Sequence, residues 1–223
     1  MSLLGKKTVR DAVMDLIFPR RCPFCGRITD GALLCPACAA ALPVTGEHPT
    51  AEGTYGRCAA PLYYEGQVRD ALLAFKFRGQ MGGLDCFGEM LADCAAGSFP
   101  GEFDTVSWVP VSDKRKRERG FDQSYELCRA ACRHWGVEPT AALRKVWDNP
   151  PQSGIAGDAQ RRANVLGVYR AREAETLAGK RILLLDDVIT TGATVGEAAR
   201  VLLTAGAAEV YCGAVAMVRR SGK

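Results

Sequence analysis

No apolar run in this 223-residue chain is long enough to cross a bilayer, which excludes a membrane-spanning protein. The N-terminus lacks a continuous apolar stretch and a small-residue cleavage site, carrying instead Lys6, Lys7 and Arg10 followed by Asp11 and Asp15. A cytoplasmic protein is therefore expected. Charge of one sign is not in large excess, because a net charge of +4 is common among soluble enzymes and does not by itself point to nucleic acid. Histidine is scarce, and His48 and His134 stand apart from one another, so neither is assigned a role as base or ligand. Internal repeats and low-complexity tracts are also missing. What remains is an ordinary globular composition, 48% hydrophobic and 24% charged.

Cysteine, by contrast, is abundant and unevenly placed. Cys22-Pro-Phe-Cys25-Gly and Cys35-Pro-Ala-Cys38 are two CxxC knuckles separated by nine residues. A CxxC turn brings two thiolates to one side of a tight loop, and two such turns supply the closed tetrahedral sulfur set of a structural zinc site. A redox dithiol or a pair of core cysteines would not explain the duplicated spacing. A segment of about 40 residues rarely holds itself together by apolar burial alone, and zinc would order it. Cys58, Cys86, Cys94, Cys128, Cys132 and Cys212 lie in apolar or small-residue contexts and read as core.

Val9, Val13, Leu16 and Ile17 repeat at helical spacing ahead of the cysteines. After Cys38 the chain is punctuated by Pro43, Gly46, Pro49 and Gly53, which reads as a linker. The expected organisation is residues 1–50 as helix, zinc module and linker, with residues 51–223 as a second domain. That domain alternates strand candidates (Ala59–Tyr64, Thr105–Val111, Arg181–Leu185, Glu209–Met217) with helix candidates (Val68–Phe77, Gln123–Trp135, Val195 to about Leu203). Alternation of this kind predicts an α/β fold with a mostly parallel sheet flanked by helices. Asp148–Ala163, rich in Pro, Gly, Gln and Arg, reads as a long irregular segment, either a mobile lid or a linker.

The most informative stretch runs from Ile182 through four apolar residues to Asp186 and Asp187, then Val188, Ile189, Thr190, Thr191, Gly192, Ala193 and Thr194. Four consecutive apolar residues suit a strand buried on both faces, with the two carboxylates at its C-terminal edge, where open α/β sheets bind ligands. A loop of small and hydroxyl residues entering a helix aims N–H and O–H groups at one point, which suits a phosphate. Paired acids beside a phosphate would repel it unless the ligand also offers hydroxyls or Mg²⁺ lies between. A phosphorylated ribose meets both conditions. Upstream, Val109-Pro-Val leads into a run in which five of the six residues from Lys114 to Arg119 are basic. Cations there could hold a diphosphate, or the run could be a solvated helix face.

The order of apolar strand, two acids and Thr-Thr-Gly-x-Thr loop resembles the phosphoribosyl pyrophosphate motif of type I phosphoribosyltransferases. By that resemblance Asp186 and Asp187 hold the ribose hydroxyls and act at the catalytic centre, and Thr190, Thr191, Gly192, Ala193 and Thr194 hold the 5′-phosphate. Lys114, Arg115 and Arg119 are the candidates for the diphosphate and its Mg²⁺, and Gln152 and Arg161 for a lid. With the four cysteines in front, the Arg119-Gly-Phe-Asp-Gln-Ser segment, and Gln152-Ser-Gly followed by Arg161, Arg162 and Asn164, the chain is similar to the ComF family of competence-associated proteins over nearly its whole length. Asp122 stands where that family usually has asparagine. The resemblance implies a phosphoribosyltransferase-like domain linked to DNA uptake, with single-stranded DNA or a competence helicase as partners. It names no acceptor, and a non-catalytic phosphate-binding or regulatory role stays open beside phosphoribosyl transfer.

Overall fold

The computed structural model describes residues 19–46, 51–53, 56–149 and 158–219. The Val9–Ile17 helix candidate, Pro49, His48 and Gln152 lie outside them. A short helix, α1 (Pro36–Ala41), follows the second knuckle. The main sheet has the order β1-β2-β8-β7-β4, with β3 pairing β8 beyond the end of β2. Its strands are β1 (Ala51–Gly53), β2 (Gly56–Ala59), β3 (Leu62–Tyr63), β4 (Thr105–Trp108), β7 (Arg181–Ile189) and β8 (Glu209–Met217). Every pairing is parallel except β1 with β2. A separate antiparallel pair joins β5 (Leu143–Lys145) to β6 (Tyr169–Ala171).

Central position explains the composition of β7. Leu183 and Leu185 enter one core with α2 (Gly66–Arg78), α3 (Leu84–Ser98) and α5 (Gln123–Trp135). Ile182 and Leu184 enter another with α8 (Ala193–Thr204) and the β5–β6 pair. A strand flanked on both faces has no solvent side, so the alternation of a surface strand is replaced by continuous apolar residues.

Several element bounds differ from the sequence expectation. The Ala59–Tyr64 strand is broken into β2 and β3 at Ala60-Pro61, because proline cannot donate to the ladder. β4 ends before Val109-Pro-Val for the same reason, although the Val109 N–H still reaches the Leu185 carbonyl at 2.9 Å. β7 runs on to Ile189, paired with Met217, so Asp186 and Asp187 belong to the strand and do not follow it. The segment 148–163, expected to be irregular, carries the start of α6 (Asp158–Val165). The basic run forms α4 (Asp113–Arg119), and α7 (Ala174–Leu177) precedes β7. No helix among the described residues is long and apolar enough to cross a membrane.

Helix α3 packs closely against α5 because Gly88 has no side chain. A Cβ at Gly88 would lie 2.5 Å from Ala130 Cβ and 2.9 Å from the Ala130 carbonyl carbon. Gly88→Ala is expected to cost about 1–3 kcal/mol through this overpacking. Gly82→Ala, where a Cβ meets nothing within 4 Å, should stay within about 0.5 kcal/mol. Urea unfolding midpoints of the two variants check the contrast.

Candidate functional site

The C-terminal end of β7 sets two carboxylates side by side, and both are buried, Asp186 at 8% and Asp187 at 7% exposure. Successive strand residues point to opposite faces, so the two acids find different partners. Asp186 Oδ1 accepts from Ser124 Oγ and from the Asp187 amide, both at 2.8 Å. Asp187 Oδ2 accepts from Lys76 Nζ at 2.6 Å, and its Oδ1 from the Val188 amide at 2.9 Å. Burial and the neighbouring Asp187 charge push the Asp186 carboxyl up to about 7, against the pull of Lys76. Burial lowers Lys76, but the Asp187 carboxylate outweighs it and leaves the ammonium more firmly protonated than usual.

Beyond Ile189 the strand turns into the N-terminus of α8. Gly192 caps the helix at φ +80°, a conformation that costs other residues strain. No side chain caps this end, and the Ala193 amide lies 3.3 Å from Thr191 Oγ1. Thr190 is exposed, and Thr191, Gly192, Ala193 and Thr194 are half-buried. The loop therefore offers open N–H donors and hydroxyls at the positive end of a helix dipole, beside the two acids.

The basic helix α4 is capped by Ser112, whose Oγ accepts from the Arg115 amide, and it stops at Gly120. Arg115 and Arg119 are four residues apart and share its inner side, while Lys114, Lys116 and Arg117 are exposed. Arg115 Nη2 donates to the Asn149 carbonyl at 2.5 Å, with Asp148 3.7 Å from its Nε. Arg119 Nη1 donates to Gln123 Oε1 at 2.7 Å, and its guanidinium stacks 4.9 Å from the Phe77 ring. Burial weakens the proton affinity of Arg119 while the Asp187 charge opposes that effect, so Arg119 lies within the field of Asp187. Lys114 is turned outward, 3.7 Å from Asp148. Of the expected diphosphate cations, the fold thus brings Arg115 and Arg119 inward and leaves Lys114 at the rim. Arg161 falls on α6.

Two contributing residues, Lys76 and Lys145, carried no local signal, and Asp122 and Ser124 belong to the Arg119–Ser124 segment, whose sequence does not show what they contact. Lys76 meets Asp187 across 111 residues of chain, and Ser124 meets Asp186 across 62. Lys145 on β5 lies 5.6 Å from the Tyr169 ring. Burial, reinforced by Arg115, lowers its ammonium to about 8, and Asp148 and Asp186 oppose the shift. Asp122 caps α5 by accepting from the Tyr125 amide at 3.0 Å and also takes the Val111 amide at 3.2 Å. The two bonds fall on different carboxylate oxygens, so an asparagine, with one acceptor oxygen, could keep only one of them in this geometry.

The four knuckle thiols lie within 4.8 Å of one another. In a tetrahedral zinc–thiolate site the sulfurs are about 3.8 Å apart, and Cys25 Sγ and Cys35 Sγ stand at 3.6 Å. Cys22, Cys35 and Cys38 are buried and Cys25 is exposed. The Arg27 amide and guanidinium hold the Cys25 thiol down at about 6, which favours the thiolate a metal needs. The donor set fits structural zinc, with no open position for substrate.

The raised Asp186 carboxyl makes a pH-dependent statement about stability. An acid that binds its proton more tightly folded than unfolded costs stability as pH rises from about 4 to about 7, and the loss persists above. Asp186→Asn keeps an acceptor for Ser124 and removes the charge. At pH 8 its Tm should exceed wild type by about 3 °C or more, since about 1 kcal/mol moves Tm by 2–4 °C at this size. The gain should shrink toward pH 4, as scanning calorimetry at both pH values would show.

Residues 122–223 match the phosphoribosyl transferase domain family, and residues 13–71 match the double zinc ribbon domain. The competence protein ComFC of Bacillus subtilis (strain 168) is 30% identical over 145 residues, 65% of this chain and 57% of that protein. The DNA utilization protein YhgH of Escherichia coli O157:H7 is 33% identical over 115 residues, 49% of this chain and 48% of that protein. An amidophosphoribosyltransferase of Drosophila melanogaster is 34% identical over 120 residues, 50% of this chain and 18% of that enzyme. The chain spans about half the length of the first two relatives. The chain thus carries a double zinc ribbon match ahead of a phosphoribosyl transferase domain match and is similar to the competence protein ComFC.

Proposed function

We propose that the site binds phosphoribosyl pyrophosphate and transfers its phosphoribosyl group to a nucleophile with release of pyrophosphate, in a protein connected with DNA uptake. One observation carries this reading. Two adjacent buried carboxylates lie near the end of a strand whose following loop enters a helix N-terminus with no side-chain cap, which attracts anions. Such a pair is electrostatically costly unless its ligand presents hydroxyl donors to the acids and a phosphate to the loop. Asp186 and Asp187 take the 2′- and 3′-hydroxyls, and Thr190 to Thr194 take the 5′-phosphate. Arg115 and Arg119 face the diphosphate, with Lys114 at the rim. Mg²⁺ carried with the diphosphate supplies positive charge to the leaving group. The sugar C1–oxygen bond to pyrophosphate breaks as the nucleophile's bond to C1 forms, and the chain's contribution is to hold the ribose and stabilise the departing anion. The segment holding Gln152 and Arg161 is proposed as the lid.

Calorimetric titration with phosphoribosyl pyrophosphate and Mg²⁺ tests the ligand. An Asp186→Asn/Asp187→Asn variant should bind at least about ten-fold more weakly, the cost of losing charge-assisted hydrogen bonds. Equal affinity in wild type and variant overturns the assignment.

A second reading, binding of single-stranded nucleic acid, gains one observation. The basic run has no interleaved aromatics, but the fold brings one aromatic ring to its C-terminal end and an exposed tryptophan into the segment that pairs with its start. Phe77, 63% exposed, stacks on Arg119. Trp147, 71% exposed, precedes Asp148, which pairs with Lys114 and Arg115. Cations flanked by exposed rings suit a phosphate backbone with stacked bases. Binding of single-stranded DNA should weaken as salt rises, and Lys116→Ala/Arg117→Ala should flatten that dependence. A salt slope identical in variant and wild type removes this reading.

A further inference from the structure

We infer that Lys76 is a positioning residue of the paired-acid site and that the zinc module sets its position through Phe24. The inference rests on the phosphoribosyl pyrophosphate reading of that site.

Lys76 lies in the last turn of α2, and its Nζ lies 2.6 Å from Asp187 Oδ2. It fixes one carboxylate oxygen while the Val188 amide fixes the other, so where α2 ends decides how Asp187 faces the ligand. The neighbouring residue Phe75 buries its ring against Phe87 of α3 at 6.2 Å and against Phe121 at 5.6 Å. Phe87 in turn meets Phe24 edge-on at 5.8 Å and 74°. Phe24 sits between Cys22 and Cys25 at the first knuckle. A Cβ on Gly83 would stand 2.6 Å from Pro23 Cβ, so the same knuckle is seated directly on the start of α3. At the other end of α2, Cys38 Sγ lies 3.7 Å from Gln67 Oε1. Both knuckles therefore touch the layer that carries Lys76.

The chain of rings Phe24, Phe87, Phe75 and Phe121 joins the thiol cluster to both walls of the site. Phe75 precedes Lys76, and Phe121 lies between Arg119 and Asp122. Rings in edge contact transmit displacement because close-packed interiors have little free volume to absorb it. Ordering the knuckle with zinc fixes Phe24, and a fixed Phe24 limits the settings of α2. Lys76 then meets Asp187 in one geometry, and the Asp187 side chain faces a ribose hydroxyl in one orientation. This gives the zinc module a role at the ligand site beyond its own folding.

The test uses the full zinc-loaded chain, with zinc measured per chain in every variant. Phe24→Ala should lower affinity for phosphoribosyl pyrophosphate with Mg²⁺ by about five-fold or more, the lower end of typical coupling between sites. Phe24→Leu should recover part of the loss. Phe87→Leu, away from the cysteines, should repeat the loss with zinc retained. In a Lys76→Met background, Phe24→Ala should have little additional effect, as expected when one residue acts through the other. Hydrogen exchange of the amides from Leu72 to Arg78, without ligand, should be faster in Phe24→Ala. Unchanged affinity at full zinc content, or the same fold-loss with and without Lys76, overturns the inference. If wild type binds no phosphoribosyl pyrophosphate, the ligand reading fails separately. Unchanged exchange would then overturn the coupling by itself.

Discussion

Two carboxylates on consecutive buried residues of the central strand are the constraint around which this molecule is arranged. Both acids are buried, and the Asp187 charge adds to the burial cost of ionising Asp186. The chain answers with Lys76 on one acid and Ser124 with a backbone amide on the other. The compensation is incomplete, as the Asp186 carboxyl held near 7 shows. Residual strain of this kind is what a binding site retains when stability alone is not optimised.

The surrounding layers follow from the need to bring distant groups to that strand end. Parallel pairing of β7 between β4 and β8 leaves all three strands pointing one way. The segments after β4 and β7 therefore emerge at the same edge. One becomes α4, with Arg115 and Arg119 turned inward, and the other becomes the threonine loop. The short β5–β6 pair adds Lys145. Polarity alone would leave α4 as a solvated helix, and its inward side exists because Asp148, Asn149 and Gln123 receive its two arginines.

The four-cysteine module answers a different problem. It has little apolar surface of its own, and its buried cluster among the described residues consists of Cys22, Cys35 and Cys38 with Phe24 and Leu34 packed against it. Phe24 and Leu34 also join the larger core of α2, α3 and α5. The module is thus stapled from within by thiols and anchored from outside by an aromatic contact.

Much of this was legible locally. The CxxC pairs, the leucine run of β7, the acids and the threonine loop announce themselves because each is a short contiguous pattern whose chemistry depends on near neighbours. The Gln123–Trp135 helix was readable from its apolar stripe and has those bounds. α6 was not, because its eight residues from Asp158 to Val165 are mostly polar and too few to announce a helix, and it packs against α8. The continuation of β7 through both acids was hidden too, since aspartate disfavours strands and only pairing with β8 keeps them in register. The sequence by itself determined the paired acids, the threonine loop and the four clustered thiols. Tertiary structure alone decided which cations face the acids, and it recruited Lys76 and Ser124, because partnership across 111 and 62 residues is set by how layers pack and leaves no local pattern.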